Sequence, residues 1–207
     1  MTFGKVSSKL YLWLHKAVVL ALFAYSCFYV PAAYAQPNNA AGMLMNIAQT
    51  VPAFMQLVTA TAYVMGMWFV IMGVNGLKHF GEARASHSPE HSLKGPLIQM
   101  TVGTLLLYLP SSVQSGLETF WTNPSPYAYT KEAADQWSVL IQDSYSIMQF
   151  IGTVAVIRGF LILNQLAGQA QPGTFGRALT HIIAGILCIN IYGFLQMLNA
   201  TLGVVPQ

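Results

Sequence analysis

The sequence predicts an all-α, multi-pass membrane protein, with four transmembrane spans arranged as two tandem helical hairpins after an N-terminal signal sequence. Composition is the first observation behind this prediction. Hydrophobic residues make up 55% of the 207 positions and charged residues only 7%, whereas a soluble domain carries about 25% charged residues. So few charges cannot cover a water-facing surface. The second observation is a set of four long apolar runs that follow the N-terminal segment.

The N-terminal segment 1–35 has the three parts of a secretory signal sequence. Three lysines precede an apolar stretch, Pro31 interrupts that stretch, and Ala33-Tyr34-Ala35 supplies a small-x-small cleavage pattern. We expect the signal to be cleaved. An uncleaved anchor helix is the alternative, because the apolar stretch is long enough to form part of a span.

Each of the four apolar runs has roughly the 17–25 residues that a bilayer-spanning helix needs. The runs cover 54–77, 96–113, 147–167 and 182–205. Pro110 is expected to kink or end the second helix. The predicted domains are a first hairpin at 36–113 with a short loop at 78–95, a middle loop at 114–146, and a second hairpin at 147–207 with a short loop at 168–180.

Basic residues predict the orientation of these loops, because cytoplasmic loops carry an excess of lysine and arginine. The two short loops hold Lys78, Arg84, Lys94 and Arg177, whereas the middle loop holds Lys131 and four acidic residues. The short loops are therefore predicted in the cytoplasm of a bacterium. The mature N-terminus, the middle loop and the C-terminus are predicted on the periplasmic side of the inner membrane. The mature chain has equal numbers of acidic and basic residues, so no nucleic-acid surface is expected.

The two hairpins resemble each other in sequence. Met55-Gln56 followed by Gly66 recurs as Met148-Gln149 followed by Gly159, at the same spacing. Gly66 and Gly73 also share their seven-residue separation with Gly152 and Gly159, in a different register. Duplication of one hairpin and chance similarity between apolar segments both explain these matches.

Six glycines are candidate helix-packing residues, because small residues let transmembrane helices approach closely. They are Gly66, Gly73, Gly103, Gly152, Gly159 and Gly185. Their faces could pack inside this chain or against a second copy or another subunit. The candidate polar residues within the spans are Arg158, Asn164 and Asn190. Arg158 could reach lipid phosphates or a partner's carboxylate, and the two asparagines could bond across helices, or to each other.

The sequence contains one near-match to a catalytic motif, His87-Ser88-Pro89-Glu90-His91. A metallopeptidase needs such a pattern on a continuous helix, which Pro89 disfavours. Ser88 and Pro89 fit the start of an interfacial helix instead. Cys27 and Cys188 fit small apolar positions. We therefore predict no enzymatic activity, no metal and no cofactor.

The middle loop is rich in aromatic residues and proline. Its candidate partner-docking residues are Trp121, Pro124, Pro126, Tyr127 and Tyr129. Such residues anchor a chain at the membrane surface or form hot spots of a protein interface, and both interpretations stay open here.

Several of these segments together resemble a known family. They are Tyr63–Leu77, Phe80–Arg84, Glu90–Pro96, Tyr108–Pro110, Thr119–Trp121 and Pro126-Tyr127. The chain is similar, most densely over 52–129, to the IcmC/DotE family of small inner-membrane components of Dot/Icm type IVB secretion systems, which has counterparts in conjugation systems. A DotV-like relative shares this general character.

The resemblance implies a membrane subunit of a machine that moves effector proteins or DNA across the bacterial envelope. Its expected partners are other membrane subunits of that complex, the lipid bilayer and further copies of itself. The resemblance implies no catalytic residue. A small transporter or channel and a pilin-like hairpin subunit are the alternative functions.

Overall fold

The computed structural model describes residues 40–85, 92–124, 136–168 and 171–203. Every regular element in these ranges is a helix, which confirms the predicted all-α class. The helices are α1 (Ala40–Ala85), α2 (Lys94–Leu107), α3 (Leu109–Phe120), α4 (Gln136–Asn164), α5 (Thr174–Ile189) and α6 (Ile191–Leu202), with a 3-10 turn at Gln165–Ala167. The predicted signal sequence lies outside the described residues.

Two of the helical segments are long and apolar enough to cross a membrane. They are Gly42–Ala85 of α1 and Leu140–Ala167, which joins α4 to the 3-10 turn. The successive helices α2 and α3 qualify together, as do α5 and α6, but each of these pairs is sharply bent. The described residues therefore contain two candidate spans, or four when each bent pair counts as one.

The helices pack as two antiparallel pairs, α1 with α2 and α4 with α5. In the first pair Gly66 faces Gly103 and Gly73 faces Pro96, so the two chains run in opposite directions. The pairs meet around one apolar core, formed by Ala62, Val102, Leu106, Leu109, Leu117, Val156, Ile157, Phe160, Ile186 and Ile189. Phe54 of α1 also lies against Phe150 of α4, with 6.2 Å between ring centroids.

The helices extend well beyond the apolar runs seen in the sequence. α1 begins at Ala40 and has 46 residues, and α4 begins at Gln136 and has 29. Residues 114–120 and 136–146, predicted as parts of the middle loop, are helical. Backbone hydrogen bonding continues wherever the residues tolerate helical geometry, whereas an apolar run stops at the first polar cluster.

The first bend separates α2 from α3 and measures 90°. Pro110 lies in the first turn of α3, where its missing N–H costs nothing but its ring blocks a continuous helix. Tyr108 leaves helical geometry at φ −107°, ψ 38°. The Ser112 hydroxyl donates to the Leu105 carbonyl over 3.1 Å, which satisfies an acceptor that the interrupted helix leaves open. The predicted kink at Pro110 is thus present, but the chain continues as a new helix.

The second bend separates α5 from α6 and measures 91°. Asn190 occupies the corner at φ −110°, ψ 55°, and it is only 2% exposed. Its side-chain oxygen accepts the backbone N–H of Gly193 over 3.3 Å. This bond caps the first turn of α6, because that N–H has no acceptor within the helix.

Asn190→Ala is expected to destabilise the bend, because α6 loses its N-cap. The cost is about 1 kcal/mol for a lost asparagine cap, or a fall of roughly 2–4 °C in melting temperature for a chain of this size. Thermal unfolding of the purified protein in mild detergent measures the change. Asn199→Ala, on the exposed side of α6, is the matched control and should not lower the melting temperature. Equal loss in both variants would contradict the capping role.

Candidate helix-packing and assembly surfaces

The first hairpin is held by direct backbone contact between α1 and α2. A Cβ atom added to Gly66 would lie 2.8 Å from the Gly103 carbonyl oxygen and 2.8 Å from the Leu107 amide nitrogen. The reciprocal Cβ at Gly103 would lie 2.8 Å from the Gly66 carbonyl oxygen. About two helical turns further along, a Cβ added to Gly73 would lie 3.0 Å from the Met100 amide nitrogen. We call this contact line the first glycine seam; no residue other than glycine fits at its crossing point.

The second hairpin repeats the backbone contacts of the first. A Cβ at Gly152 would lie 2.7 Å from the Gly185 carbonyl oxygen and 2.8 Å from the Ile189 amide nitrogen. Gly159 faces the backbone of Ile182 at 3.0 Å, as Gly73 faces Met100. This second glycine seam therefore matches the first in both its contacts and their order.

The equivalence extends to the residues around the seams. Gly66, Val70-Ile71 and Gly73 correspond to Gly152, Val156-Ile157 and Gly159 with identical spacing. Gly103 and Gly185 lie at the same distance before the bends at Tyr108 and Asn190. The helices that follow, α3 and α6, both have 12 residues. The two hairpins are thus structural repeats of each other in the same orientation.

The structure decides between the two registers seen in the sequence. The match of Met55-Gln56 with Met148-Gln149 would set Gly66 opposite Gly159, and this register is wrong. Gly66 occupies the position that Gly152 has in the second hairpin. Backbone contact at the glycines fixes this register.

Both seams are buried inside the chain. Because α2 and α5 already cover the glycine faces of α1 and α4, those faces are not available to a second copy or to another subunit. Of the two uses open to these glycines, the structure shows packing within the chain. Any assembly surface must lie elsewhere.

Much of the apolar surface of the long helices remains uncovered. Only 17% of the most apolar window of α1 and 33% of that of α4 is buried. Large apolar side chains are exposed along α1 from Met43, at 68%, to Val74, at 50%. Such a surface requires lipid or protein around it. This uncovered face, which we call the α1 face, is the largest feature that the sequence patterns did not single out.

Arg158 lies on the exposed side of α4, between the buried residues Ile157 and Gly159. Within the described ranges no carboxylate lies in ion-pair distance of Arg158, whereas Lys78 and Glu82 form an ion pair at 3.8 Å. A charge on the apolar side of a span is costly unless it reaches a headgroup or a partner. The position is compatible with both interpretations made from the sequence.

Asn164 and Asn190 do not bond to each other, so that part of the prediction is wrong. The antiparallel arrangement places Ile189 beside Gly152, and the helix from Gly152 to Asn164 is about 18 Å long at 1.5 Å per residue. Asn190 instead caps its own helix. The side-chain oxygen of Asn164 is buried and has no hydrogen-bond partner in the described part of the chain.

Trp121 and Pro124 follow directly on α3. The Trp121 ring packs against the core and lies 5.7 Å from the Phe120 ring, so the tryptophan belongs to the bundle more than to a free loop. Its indole nitrogen is buried without an acceptor among the described residues. Pro126, Tyr127, Tyr129 and the His87–His91 pattern lie outside the described residues. The part of the chain that the structure describes contains no cluster of three metal-ligating side chains.

Comparison with protein-family models, with curated protein sequences and with solved structures finds no match to this chain.

Gly185→Ala is expected to destabilise the second hairpin, because the added methyl would meet backbone atoms of α4 at 2.7 and 2.8 Å. The helices must separate, at about 1–3 kcal/mol for an overpacked site. Gly176→Ala in the same helix is the matched control, since nothing lies within 4 Å of an added Cβ there. It should leave stability unchanged or raise it by up to about 1 kcal/mol through helix propensity. Thermal unfolding in detergent measures both; equal melting temperatures would refute the seam.

Proposed function

We propose that this chain is a non-enzymatic subunit of the bacterial inner membrane that works as part of a type IVB, Dot/Icm-like secretion apparatus. In this role it contributes to the movement of effector proteins or DNA by holding membrane components together. The family resemblance of its motifs supplies the identity of the machine. The length of the uncovered α1 face favours a role in a larger assembly.

The α1 face is longer than the hydrocarbon core of a bilayer. Exposed apolar side chains run from Met43 to Val74, which corresponds to about 47 Å of helix at 1.5 Å per residue. The hydrocarbon core is about 30 Å thick. Even a tilt of 40°, the upper end of the usual range, accommodates only about 39 Å. Gln49 and Gln56 are also exposed in the first part of this stretch. We assign the end that begins at Met43, which lies farthest from the turn between α1 and α2, to a protein partner.

Charge supports the predicted orientation of the bundle. Lys78 and Arg84 lie within the last eight residues of α1, Lys94 begins α2, and Arg177 lies in the first turn of α5. Gly95 lies against the backbone of Ala167, where an added Cβ would be 2.6 Å from the carbonyl oxygen. Both hairpin turns thus belong to the same end of the bundle, and the positive-inside rule favours the cytoplasm for that end.

The partner proposal predicts that the chain co-purifies with other membrane proteins of the secretion system in mild detergent. Ile47→Ser should weaken this association, because Ile47 is 54% exposed on the segment of α1 assigned to the partner. Loss of one buried isoleucine costs about 1.5–3 kcal/mol, which lowers the affinity at least about tenfold. Quantitative mass spectrometry of the captured subunits measures the loss.

Ile71→Ser is the matched control on the same helix, since Ile71 is 49% exposed within the segment assigned to lipid, and it should retain the partners. Recovery of a lone monomer, with secretion intact when the chain is deleted, would contradict the proposal. Solute or ion flux through the purified chain in liposomes, lost on Arg158→Ala, would favour the transporter or channel instead.

The orientation is tested with reporter fusions at Ala85 and Pro126. Alkaline phosphatase, which is active only outside the cytoplasm, should be active at Pro126 and inactive at Ala85. Green fluorescent protein exported in the unfolded state does not fluoresce, so it should give the reverse pattern and serves as the control. Phosphatase activity at Ala85 would overturn the assignment of the basic turns to the cytoplasm.

A further inference from the structure

The helix α6 has two distinct long sides. Leu195, Leu198 and Leu202 form one row at helical spacing, and all three are exposed, at 42%, 37% and 73%. Gln196 and Ala200 lie on the opposite side, while Asn199 and Met197, which is 40% exposed, lie at the two borders between the sides. No residue of α6 is buried, so the bundle leaves the leucine row uncovered.

In α3, the equivalent helix of the first hairpin, the leucine side chains are buried. Leu109 and Leu117 of α3 are each only 2% exposed and pack into the core. The outer side of α3 is polar, with Gln114 donating to Glu118 over 2.9 Å. The two helices have the same length and follow equivalent bends, but α6 exposes its leucine row, whereas α3 buries Leu109 and Leu117 and exposes only Phe120, at 42%, among its large apolar side chains.

The bend fixes the direction of α6 relative to the membrane. If α5 crosses the bilayer, a helix bent from it by 91° runs along the membrane plane. The 16 residues of α5 cover about 24 Å at 1.5 Å per residue, and the hydrocarbon core measures about 30 Å. With the Arg177 end of α5 at one boundary, the bend lies about 6 Å inside the other, within the 5–10 Å depth of interfacial helices.

Aromatic side chains collect at the same level of the bundle. Tyr192, two residues after the bend, lies 6.2 Å from Tyr145 of α4. Tyr108 occupies the other bend and is 64% exposed. Tyrosine and tryptophan concentrate where hydrocarbon meets headgroups, so this belt places both bends at one membrane surface.

We propose that α6 is an in-plane membrane helix whose Leu195, Leu198 and Leu202 row enters the hydrocarbon edge of the leaflet opposite the basic turns. The opposite side, with Gln196 and Ala200, faces the headgroups and water. The occupant of the leucine row is lipid acyl chain. Since α6 carries no charged side chain, apolar burial and the capped bend hold it there, without attraction to anionic headgroups. The inference rests on the proposed membrane insertion of the bundle.

Spin labelling of the full chain tests this placement. Single cysteines replace residues 191–202 in turn, in a background carrying Cys27→Ala and Cys188→Ala, and the labelled protein is reconstituted into phosphatidylethanolamine–phosphatidylglycerol vesicles. Collision with oxygen reports hydrocarbon, and collision with a water-soluble nickel chelate reports water. The depth parameter, which compares the collision rates of oxygen and the nickel chelate, should change sign between the leucine row and the opposite side. It should vary with the helical period and show no steady change along α6.

Three results would overturn the proposal. Depth that changes steadily from residue 191 to 202 would make α6 part of a span. Nickel access to both sides would place the helix off the membrane, and exclusion of both reagents from Leu198→Cys would show that a protein, such as a second copy, covers the row. Labels at Met67→Cys and Ile71→Cys on α1 are the insertion control, because both positions are exposed on the candidate span, at 55% and 49%. Water access there would refute membrane insertion itself, independently of α6.

Discussion

Two backbone crossings, Gly66 on Gly103 and Gly152 on Gly185, set the dimensions of this protein. At each crossing a carbonyl oxygen of one helix occupies the space that a side chain would need on the other, at 2.7 or 2.8 Å from the absent Cβ. In lipid there is no hydrophobic drive between helices, so close packing of this kind carries the association. The crossings also fix which turns of the two helices are level with each other, and hence where each short helix ends beside its long neighbour.

The positions of the bends follow from that register. Tyr108 and Asn190 come at the same distance after the seam glycines, so both hairpins consist of a long first helix and a short second helix with a perpendicular arm. The corners are made differently, one with Pro110 and the Ser112 hydroxyl, the other with the Asn190 side chain. In each corner a side chain supplies a hydrogen-bond partner for one backbone group that the interruption leaves open, as an apolar environment requires.

The sequence predicts the helical class, the six packing glycines and the kink at Pro110, because hydropathy, small residues and proline act locally. It does not predict the bend at Asn190, since an asparagine within an apolar run fits an interhelical bond as well as a cap. Whether Asn190 bonds across helices or caps a helix depends on which end of the hairpin it occupies. The apolar runs also do not predict the helix ends, because α1, α3 and α4 continue through polar residues that interrupt the hydropathy pattern. The asymmetry between α3 and α6 depends on whether the helix packs against the core, as α3 does through Leu109 and Leu117, and no local pattern encodes it.

The seams also restrict how this chain can change over time. In an ordinary core, a larger side chain at one position can be accommodated by a smaller one at its neighbour, so paired substitutions preserve the fit. At Gly66 and Gly152 the neighbouring atoms belong to the opposite main chain, which no substitution can shrink. Compensatory pairs are therefore unavailable at these crossings. Each glycine is constrained singly, while the apolar residues around it remain free to vary together.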